Sequence, residues 1–379
     1  MSFIAESIMT KASRRLKSAW ICSVAAFAVI TCTLTAWAGT LDPSRWGAWA
    51  EMCVLAFPAA WMLALLVCIC FAATCRWAAC AAVALALAVA WPMAKVTFAL
   101  EHISRQQQSD SSFTVKVMSY NVHGFNAEDH RVKNRPNITM EAVVQSGADI
   151  VALQEAVYYG WNYADIPSMA PLLDTIRATY PYRTEDHSAK VTLLSRYPFT
   201  ATRLVNRQVR NQYGKMVIRN DATAYHIELP DGKRLTLINA YMASYELSPA
   251  ERKLSGLGHR PNATDSTTLL QKFNMALNVR VSQARVIGDF IKKNPRHIIM
   301  CCDMNDVPGS FCYRMLTGSG LRDAYQQSGI GYLYTYNVGP FYFHLDHMLH
   351  SSDIAVTHFE RPKAGISDHY PIVATFTVQ

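Results

Sequence analysis

Apolar residues dominate the first hundred positions of this 379-residue chain. Residues 19–38 contain no charged side chain, and Arg76 is the only charge between positions 52 and 94. About 20 apolar residues cross the roughly 30 Å core of a bilayer. As a single helix, residues 52–94 would be about 64 Å long, so a turn near Arg76 must divide them. The pattern predicts a transmembrane region over residues 19–100 with three helices, at about 19–38, 53–74 and 78–98.

Basic residues next to these spans predict their orientation. With the N-terminus inside, the inner side holds five of them: Lys11, Arg14, Arg15 and Lys17 of the basic segment 1–18, and Arg76. The outer side holds three: Arg45, Lys95 and Arg105. Because Lys and Arg collect in cytoplasmic loops, this bias predicts an outward-facing C-terminal domain. Ala36-Trp37-Ala38 also resembles a signal-peptidase site, and cleavage there would leave two spans and the same outward domain.

The rest of the chain alternates short strand patterns with helical ones. Residues 101–112 are polar and without apolar period, which predicts a linker before a domain at 113–379. The amphipathic patterns at 138–146 and 267–293 predict helices. Strands are predicted at 114–120, 149–153, 190–194, 216–218, 222–228, 234–241, 297–302, 342–348, 354–359 and 372–378. Many strands with helices between them favour an α/β sandwich.

Charge and cysteine are also unevenly distributed. Positions 1–111 hold 8 of the 36 Lys and Arg and 5 of the 28 Asp and Glu, so the domain carries a net charge of about +5. Seven of the 10 cysteines lie in the apolar region, where they serve as small apolar residues. The other three, Cys301, Cys302 and Cys312, lack the paired spacing of a thiolate metal site.

Polar side chains sit where the predicted strands end. Asn121 follows the first strand and Glu155 the second, whereas Asp303 and Asn305 follow the apolar run HIIMCC. Asp346 interrupts a later strand, and Ser367-Asp368-His369 precedes the last one. Carboxylate and amide oxygens suit Mg²⁺, and an attacking water needs an acceptor. Together these residues predict a site for a hard cation and a phosphate.

In these segments the chain resembles the endonuclease/exonuclease/phosphatase superfamily, the metal-dependent phosphoesterases related to deoxyribonuclease I. The resemblance covers residues 113–379 and rests on SYNVHGFN (119–126), ADIVALQEA (148–156), TLLSRYP (192–198), CDMNDVPGS (302–310), GLRDAY (320–325), LDHMLHS (345–351) and SDHYPI (367–372). It implies an α+β fold, a four-layer α/β/β/α sandwich preceded here by the all-α transmembrane region. Similar three-span members occur in bacterial envelopes, which implies a multi-pass protein of the bacterial inner membrane with an extracytoplasmic catalytic domain.

The resemblance also implies roles for individual residues. Glu155 is the expected principal Mg²⁺ ligand (Mn²⁺ being the alternative ion), with Asn121 in support and Asp368 as a further metal contact. Asp303 would orient or deprotonate the attacking water, and Asn305 would contact the phosphate. His369 would bind phosphate or transfer a proton, with Asp346 fixing its tautomer. Asn239 and His123 are the expected substrate-binding residues.

Several positions depart from the family pattern. The block usually written Asn-x-His-Leu is Asn239-Ala240-Tyr241-Met242 here, which puts Tyr241 at a catalytic histidine's place. Members similar to AP endonucleases also carry tyrosine there, so activity is still expected. The remaining departures are Cys302, Met304, His344 and His347.

Three functions remain open from the sequence. The favoured one is Mg²⁺-dependent hydrolysis of a phosphate ester or pyrophosphate in a lipid-linked substrate at the outer membrane face. The first alternative is a surface-tethered nuclease for DNA or RNA. It is suggested by a cluster of basic residues that could bind a polyanion: Arg203, Arg207, Arg210, Lys215 and Arg219. The competing interpretation of this cluster is a solvated hairpin. The second alternative is an inactive membrane protein that binds phospholipid. The bilayer is an expected partner, and no feature predicts a protein partner.

Overall fold

A computed structural model describes residues 2–99, 113–126, 137–156, 169–184, 189–210, 215–245, 263–338, 342–363 and 367–378. The chain divides into two compact units, Met1–Thr97 and Phe98–Gln379. The predicted linker at 101–112 lies outside the described residues.

The first unit is entirely helical. Its helices are α1 (Ser2–Ala38), α2 (Pro43–Trp46), α3 (Ala48–Ala73), α4 (Trp77–Val89) and α5 (Trp91–Thr97). Helices α1, α3 and α4 pack against one another. The stretches Leu16–Ala38 and Ala48–Ala73 are long and apolar enough to cross a membrane. Helix α1 begins at Ser2, so the predicted basic segment and the first span form one helix from that residue onward.

The predicted third span is a bent pair of helices. Trp77–Val89 and Trp91–Thr97 meet at an angle of 60°, and together they could make a third crossing. Proline has no N–H to donate and its ring clashes with the carbonyl four residues earlier, so Pro92 explains the break after Val89. The turn expected near Arg76 is confirmed, because α3 ends at Ala73 and α4 begins at Trp77.

The second unit contains fourteen described strands. They are β1 (Phe98–Ala99), β2 (Phe113–Asn121), β3 (Ile150–Gln154), β4 (Tyr182–Arg183), β5 (Val191–Ser195), β6 (Phe199–Arg210), β7 (Met216–Glu228), β8 (Arg234–Tyr241), β9 (Ile298–Asp303), β10 (Leu321–Asp323), β11 (Gly331–Tyr332), β12 (Asp346–Ser351), β13 (Ile354–Glu360) and β14 (Ile372–Val378). One sheet has the order β13-β14-β2-β3-β5-β4 and the other β10-β12-β9-β8-β7-β6. Strands β1 and β11 form a small separate ribbon.

The two large sheets pack face to face. Val115, Val117 and Ile150 of the first sheet share a buried cluster with Leu237 and Ile299 of the second. Alternate residues of β2 point the other way, so Met118 packs against the helical layer, as the two-residue period of a strand requires. The domain helices are α6 (Ile138–Gln145), α7 (Ala170–Thr179), α8 (Ala263–Lys293), α9 (Phe311–Thr317) and α10 (Ala324–Ser328). The predicted four-layer sandwich is confirmed.

Two strand predictions need correction. The runs 216–218 and 222–228 form one strand, β7, because its antiparallel partner β6, which the patterns did not indicate, continues along its whole length. The strand expected at 342–348 begins only at Asp346. The backbone N–H groups of Leu345 and Asp346 donate to the hydroxyl of Thr335, and pairing with β9 starts there.

Candidate active site

Strand ends from both sheets bring the candidate residues together. Asn121 ends β2, and Glu155 directly follows the neighbouring parallel strand β3. In the other sheet, Asp303 ends β9 and pairs in register with Tyr241 on one side and Asp346 on the other. The site therefore lies at the edge of the sandwich where β2, β3, β8 and β9 end and β12 begins.

Asn121 connects the two sheets at this edge. Its side-chain Nδ2 donates to Oε1 of Glu155 (3.1 Å) and to Oδ2 of Asp303 (2.8 Å). The residue is 1% exposed, so both bonds are shielded from water. Through this one amide nitrogen, Asn121 holds the carboxylates of Glu155 and Asp303, which come from different sheets, close to each other.

Glu155 is held in its ionised form. Burial alone would raise its pKa, but Lys190 (Nζ 3.5 Å from Oε2) and the amide of Asn121 outweigh burial. With His123 and His369 contributing in the same direction, the pKa of Glu155 lies below its ordinary value. The residue also adopts a φ of 56°, in the left-handed region where a non-glycine side chain is uncommon. An anionic oxygen donor is therefore available at the site.

His369 lies between two buried aspartates. Its Nδ1 is 2.7 Å from Oδ2 of Asp346, and its Nε2 is 4.0 Å from Oδ2 of Asp303. Burial would lower the pKa of His369, but Asp346 and Asp303 raise it well above its ordinary value. Burial raises the pKa of Asp303. The positive charge of His369 opposes this rise, and the negative charge of Asp346 adds to it. The trio can therefore exchange protons with a substrate.

The loop after β9 places Asn305 beside this trio. The backbone N–H of Asn305 donates to Oδ1 of Asp303 (3.0 Å), and its side-chain amide donates to the carbonyl of Met242 (3.0 Å). These bonds hold Asn305 at a φ of 50°. The predicted phosphate-contacting residue is therefore fixed relative to Asp303.

His123, Asp368 and Tyr241 surround the carboxylates. Nδ1 of His123 lies 3.7 Å from Oδ1 of Asp368, and the side chain of His123 is half exposed. The hydroxyl of Tyr241 is 3.1 Å from Oγ of Ser244. Its ring lies under Lys190, with Nζ 5.0 Å from the ring centre. All three predicted residues are therefore at the same edge as Glu155 and Asp303.

Asn239 does not face this edge. Its amide donates to the carbonyls of Leu153 (3.0 Å) and Thr192 (2.9 Å), and its Oδ1 accepts from Gln154 (2.7 Å). The side chain is completely buried between the sheets. The expected substrate contact does not fit this position, because every polar atom of the side chain is already used to join β8 to β3 and β5.

The basic cluster proves to be part of a hairpin. Strands β6 and β7 pair as far as Arg210 and Met216. Arg207 and Arg219 both bond through Nε to the buried carboxylate of Asp221. This pairing leaves less positive charge for a polyanion than the sequence cluster suggests.

One site residue, Lys190, was not among the predicted ones, and another, Ser367, was predicted at the site without a role. Lys190 lies beside Glu155, and the hydroxyl of Ser367 donates to the carbonyl of Asn121 (2.7 Å). In the segment SDHYPI, roles were assigned only to the two residues after Ser367. Lys190 begins a strand pattern, and nothing in its sequence neighbourhood distinguishes it from a solvated lysine.

Comparison with known proteins agrees with this architecture. The Endonuclease/Exonuclease/phosphatase family model matches residues 118–369, about two thirds of the chain and nearly all of the second unit. The chain belongs to this family. Members of the family hydrolyse phosphoester bonds. No curated protein matches the sequence.

Solved structures of the family resemble the second unit at low identity. An endonuclease/exonuclease/phosphatase family protein from Bacteroides thetaiotaomicron is 13% identical with a TM-score of 0.45, covering 71% of this chain and 99% of that one. Beta toxin from Staphylococcus aureus, solved with bound magnesium ions, is 19% identical with a TM-score of 0.42 and coverages of 69% and 99%. The human nocturnin catalytic domain with bound sulfate is 17% identical with a TM-score of 0.43 and coverages of 69% and 94%.

Proposed function

We propose that this protein is a membrane-anchored, Mg²⁺-dependent phosphoesterase that hydrolyses a phosphate ester or pyrophosphate of a lipid-linked substrate at the outer membrane face. The observation that carries the proposal is the position of His369 between Asp346 and Asp303, next to the ionised Glu155. A carboxylate that accepts a proton and an imidazole that donates one are the two groups that hydrolysis requires.

The donors at the edge fit a hard divalent cation. Glu155 and Asp368 offer carboxylate oxygens, the ligand type that Mg²⁺ prefers, and Asn121 supports Glu155 through its amide nitrogen. His123 lies beside Asp368, with Nδ1 3.7 Å from Oδ1, and contributes to the lowered pKa of Glu155. When bound there, Mg²⁺ (or Mn²⁺) would neutralise charge that develops on the phosphoryl oxygens.

The side chains account for the proton transfers. Asp303 takes a proton from the attacking water as the new bond to phosphorus forms. His369 gives its Nε2 proton to the leaving oxygen as the old phosphorus–oxygen bond breaks. Asp346 keeps the proton of Nδ1 in place, and Asn305 donates to a phosphoryl oxygen.

Membrane anchoring supports a lipid-linked substrate. Two or three apolar helices of the same chain could cross a bilayer, and a chain held at a bilayer meets lipid headgroups at high local concentration. The excess of basic residues on the N-terminal flank of the spans supports an extracytoplasmic domain in a bacterial inner membrane. The paired arginines of the β6–β7 hairpin weaken the nuclease alternative.

The test is a substrate panel for the detergent-solubilised full-length protein with Mg²⁺. We expect turnover of a phosphorylated lipid such as an isoprenyl diphosphate, and loss of it in Glu155→Gln and His369→Ala. Glu360→Gln and His358→Ala are matched controls, because both residues are exposed and lie on β13. Cleavage of plasmid DNA without lipid turnover would establish the nuclease instead. Lipid binding with no turnover of any substrate would favour the inactive phospholipid-binding protein.

A further inference from the structure

Arg361 lies between two tyrosine rings close to the candidate active site. Its guanidinium carbon is 4.5 Å from the ring centre of Tyr334 and 4.5 Å from that of Tyr370. Its Nη1 is buried and makes no hydrogen bond within the described part of the chain. Among the described residues, no carboxylate forms an ion pair with it.

Aromatic contacts at this arginine and at His369 involve residues that are close together in the chain. The ring of Tyr336 packs against the His369 ring with a centroid distance of 5.2 Å. Tyr334, two residues before Tyr336, packs against the rings of Tyr370 (6.0 Å) and Tyr342 (5.2 Å). Because Tyr370 directly follows His369, Arg361 is within about 10 to 15 Å of the imidazole.

The packing determines which interactions Arg361 has left to make. Stacking on aromatic rings uses the faces of a guanidinium and leaves its N–H groups, which lie in the plane, for hydrogen bonds. Those N–H groups match the oxygens of a phosphate or carboxylate. A buried donor without an acceptor costs free energy, which an anionic ligand would recover.

The same packing disfavours a cationic ligand. Quaternary ammonium groups bind to the faces of aromatic rings, but here a positive charge already occupies the facing sides of Tyr334 and Tyr370. A choline headgroup would lose these faces and meet the charge of Arg361. Anionic groups are therefore favoured over cationic groups beside Arg361.

We infer that Arg361 binds a second anionic group of the substrate, beyond the phosphoryl group that is attacked at His369. This inference rests on the proposed function and narrows it. Diphosphates are preferred over monophosphates and over zwitterionic phosphocholine esters. Tyr334 and Tyr370 are positioning residues that hold the guanidinium in place.

Binding measurements can test this inference without turnover. The probes are methylenediphosphonate and methylphosphonate, which carry two and one phosphonate groups and resist hydrolysis. Isothermal titration calorimetry would use the solubilised full-length protein in excess Mg²⁺. We expect the wild type to bind methylenediphosphonate more tightly than methylphosphonate. Arg361→Gln should reduce the ratio of these two affinities at least about tenfold, which is the effect of one charge-assisted hydrogen bond.

Two further variants keep the result interpretable. Arg361→Lys retains the charge without the planar fork, so its ratio should lie between those of the wild type and Arg361→Gln. Arg296→Gln is the matched control, because Arg296 is exposed and lies against Asp353. A wild type without preference, or an unchanged ratio in Arg361→Gln, would overturn the inference. An Arg361-dependent preference in a protein that hydrolyses nothing would instead refute the proposed function alone.

Discussion

Nδ1 of His369 lies 2.7 Å from Oδ2 of Asp346, while Nε2 of the same ring points toward Asp303. The bond to Asp346 fixes one tautomer and one ring orientation. The opposite nitrogen is left for substrate. This pair therefore determines which atom of His369 can donate a proton.

Asp346→Asn should reduce kcat/KM by about 100-fold or more, because the imidazole loses the partner that orients and charges it. Steady-state kinetics over a range of pH would measure this loss and any downward shift in the pH at which His369 loses its proton. Asp353→Asn is the control, since Asp353 pairs with His297 at 2.9 Å elsewhere in the domain. Equal losses in the two variants would point to folding rather than to proton transfer.

Asn239→Ala should lower the free energy of unfolding by about 3 kcal/mol or more, because three buried hydrogen-bonding groups lose their partner. Denaturant titration in detergent would measure the change. The KM of the protein that remains folded should be unaltered. A raised KM with unchanged stability would restore the substrate contact expected from the sequence.

His344→Phe should reduce the acid sensitivity of the fold. Burial, with a smaller effect of His347, lowers the pKa of His344 to about 3. The unfolded chain, with an ordinary pKa of about 6.5, therefore binds a proton that the folded state excludes. This contribution to stability is complete above pH 6.5 and is lost as pH falls below it, by about 1.4 kcal/mol per pH unit.

A comparison of the wild type with His344→Phe isolates the contribution of His344 to the pH dependence of the unfolding free energy. Phenylalanine can keep the ring contacts with His347 and Tyr325. The unfolding free energy of His344→Phe minus that of the wild type should rise by about 1.4 kcal/mol for each pH unit from pH 6.5 down to 4.5. Two parallel curves would show that His344 is not excluded from protonation in the folded state.

Local patterns were sufficient to predict most of the fold. Strands β8 and β14 occur at the predicted residues, since both segments are rich in the apolar and β-branched residues that favour strands. The break after Val89 and the continuation of β7 past Ile218 were missed. The break follows from Pro92, which is an ambiguous signal because proline is also tolerated in the first turn of a helix. The continuation of β7 depends on its pairing with β6.

The site was predictable only as far as its motifs extend. Asn121, Glu155 and Asp303 are separated widely in the chain and meet because parallel strands end at one edge, where the antiparallel strand β14 begins just after His369. Asn239 belongs to the same kind of motif, yet its side chain turns between the sheets. Which way a strand residue faces depends on register, and a one-residue shift in register reverses it. Lys190 and Arg361 have no sequence signal, because only tertiary contacts place them near the site.

Glu155 is the residue on which the proposed metal-dependent hydrolysis at this edge depends most. The most direct measurement is phosphate release from a phosphorylated lipid by the solubilised full-length protein as Mg²⁺ is titrated, for wild type, Glu155→Gln and the control Glu360→Gln. EDTA should abolish release, and Glu155→Gln alone should raise the required Mg²⁺ concentration more than about 100-fold, beyond the loss typical of a residue that only hydrogen-bonds a metal ligand. Release that persists in EDTA, or an unchanged Mg²⁺ requirement in Glu155→Gln, would contradict the proposed role of Glu155.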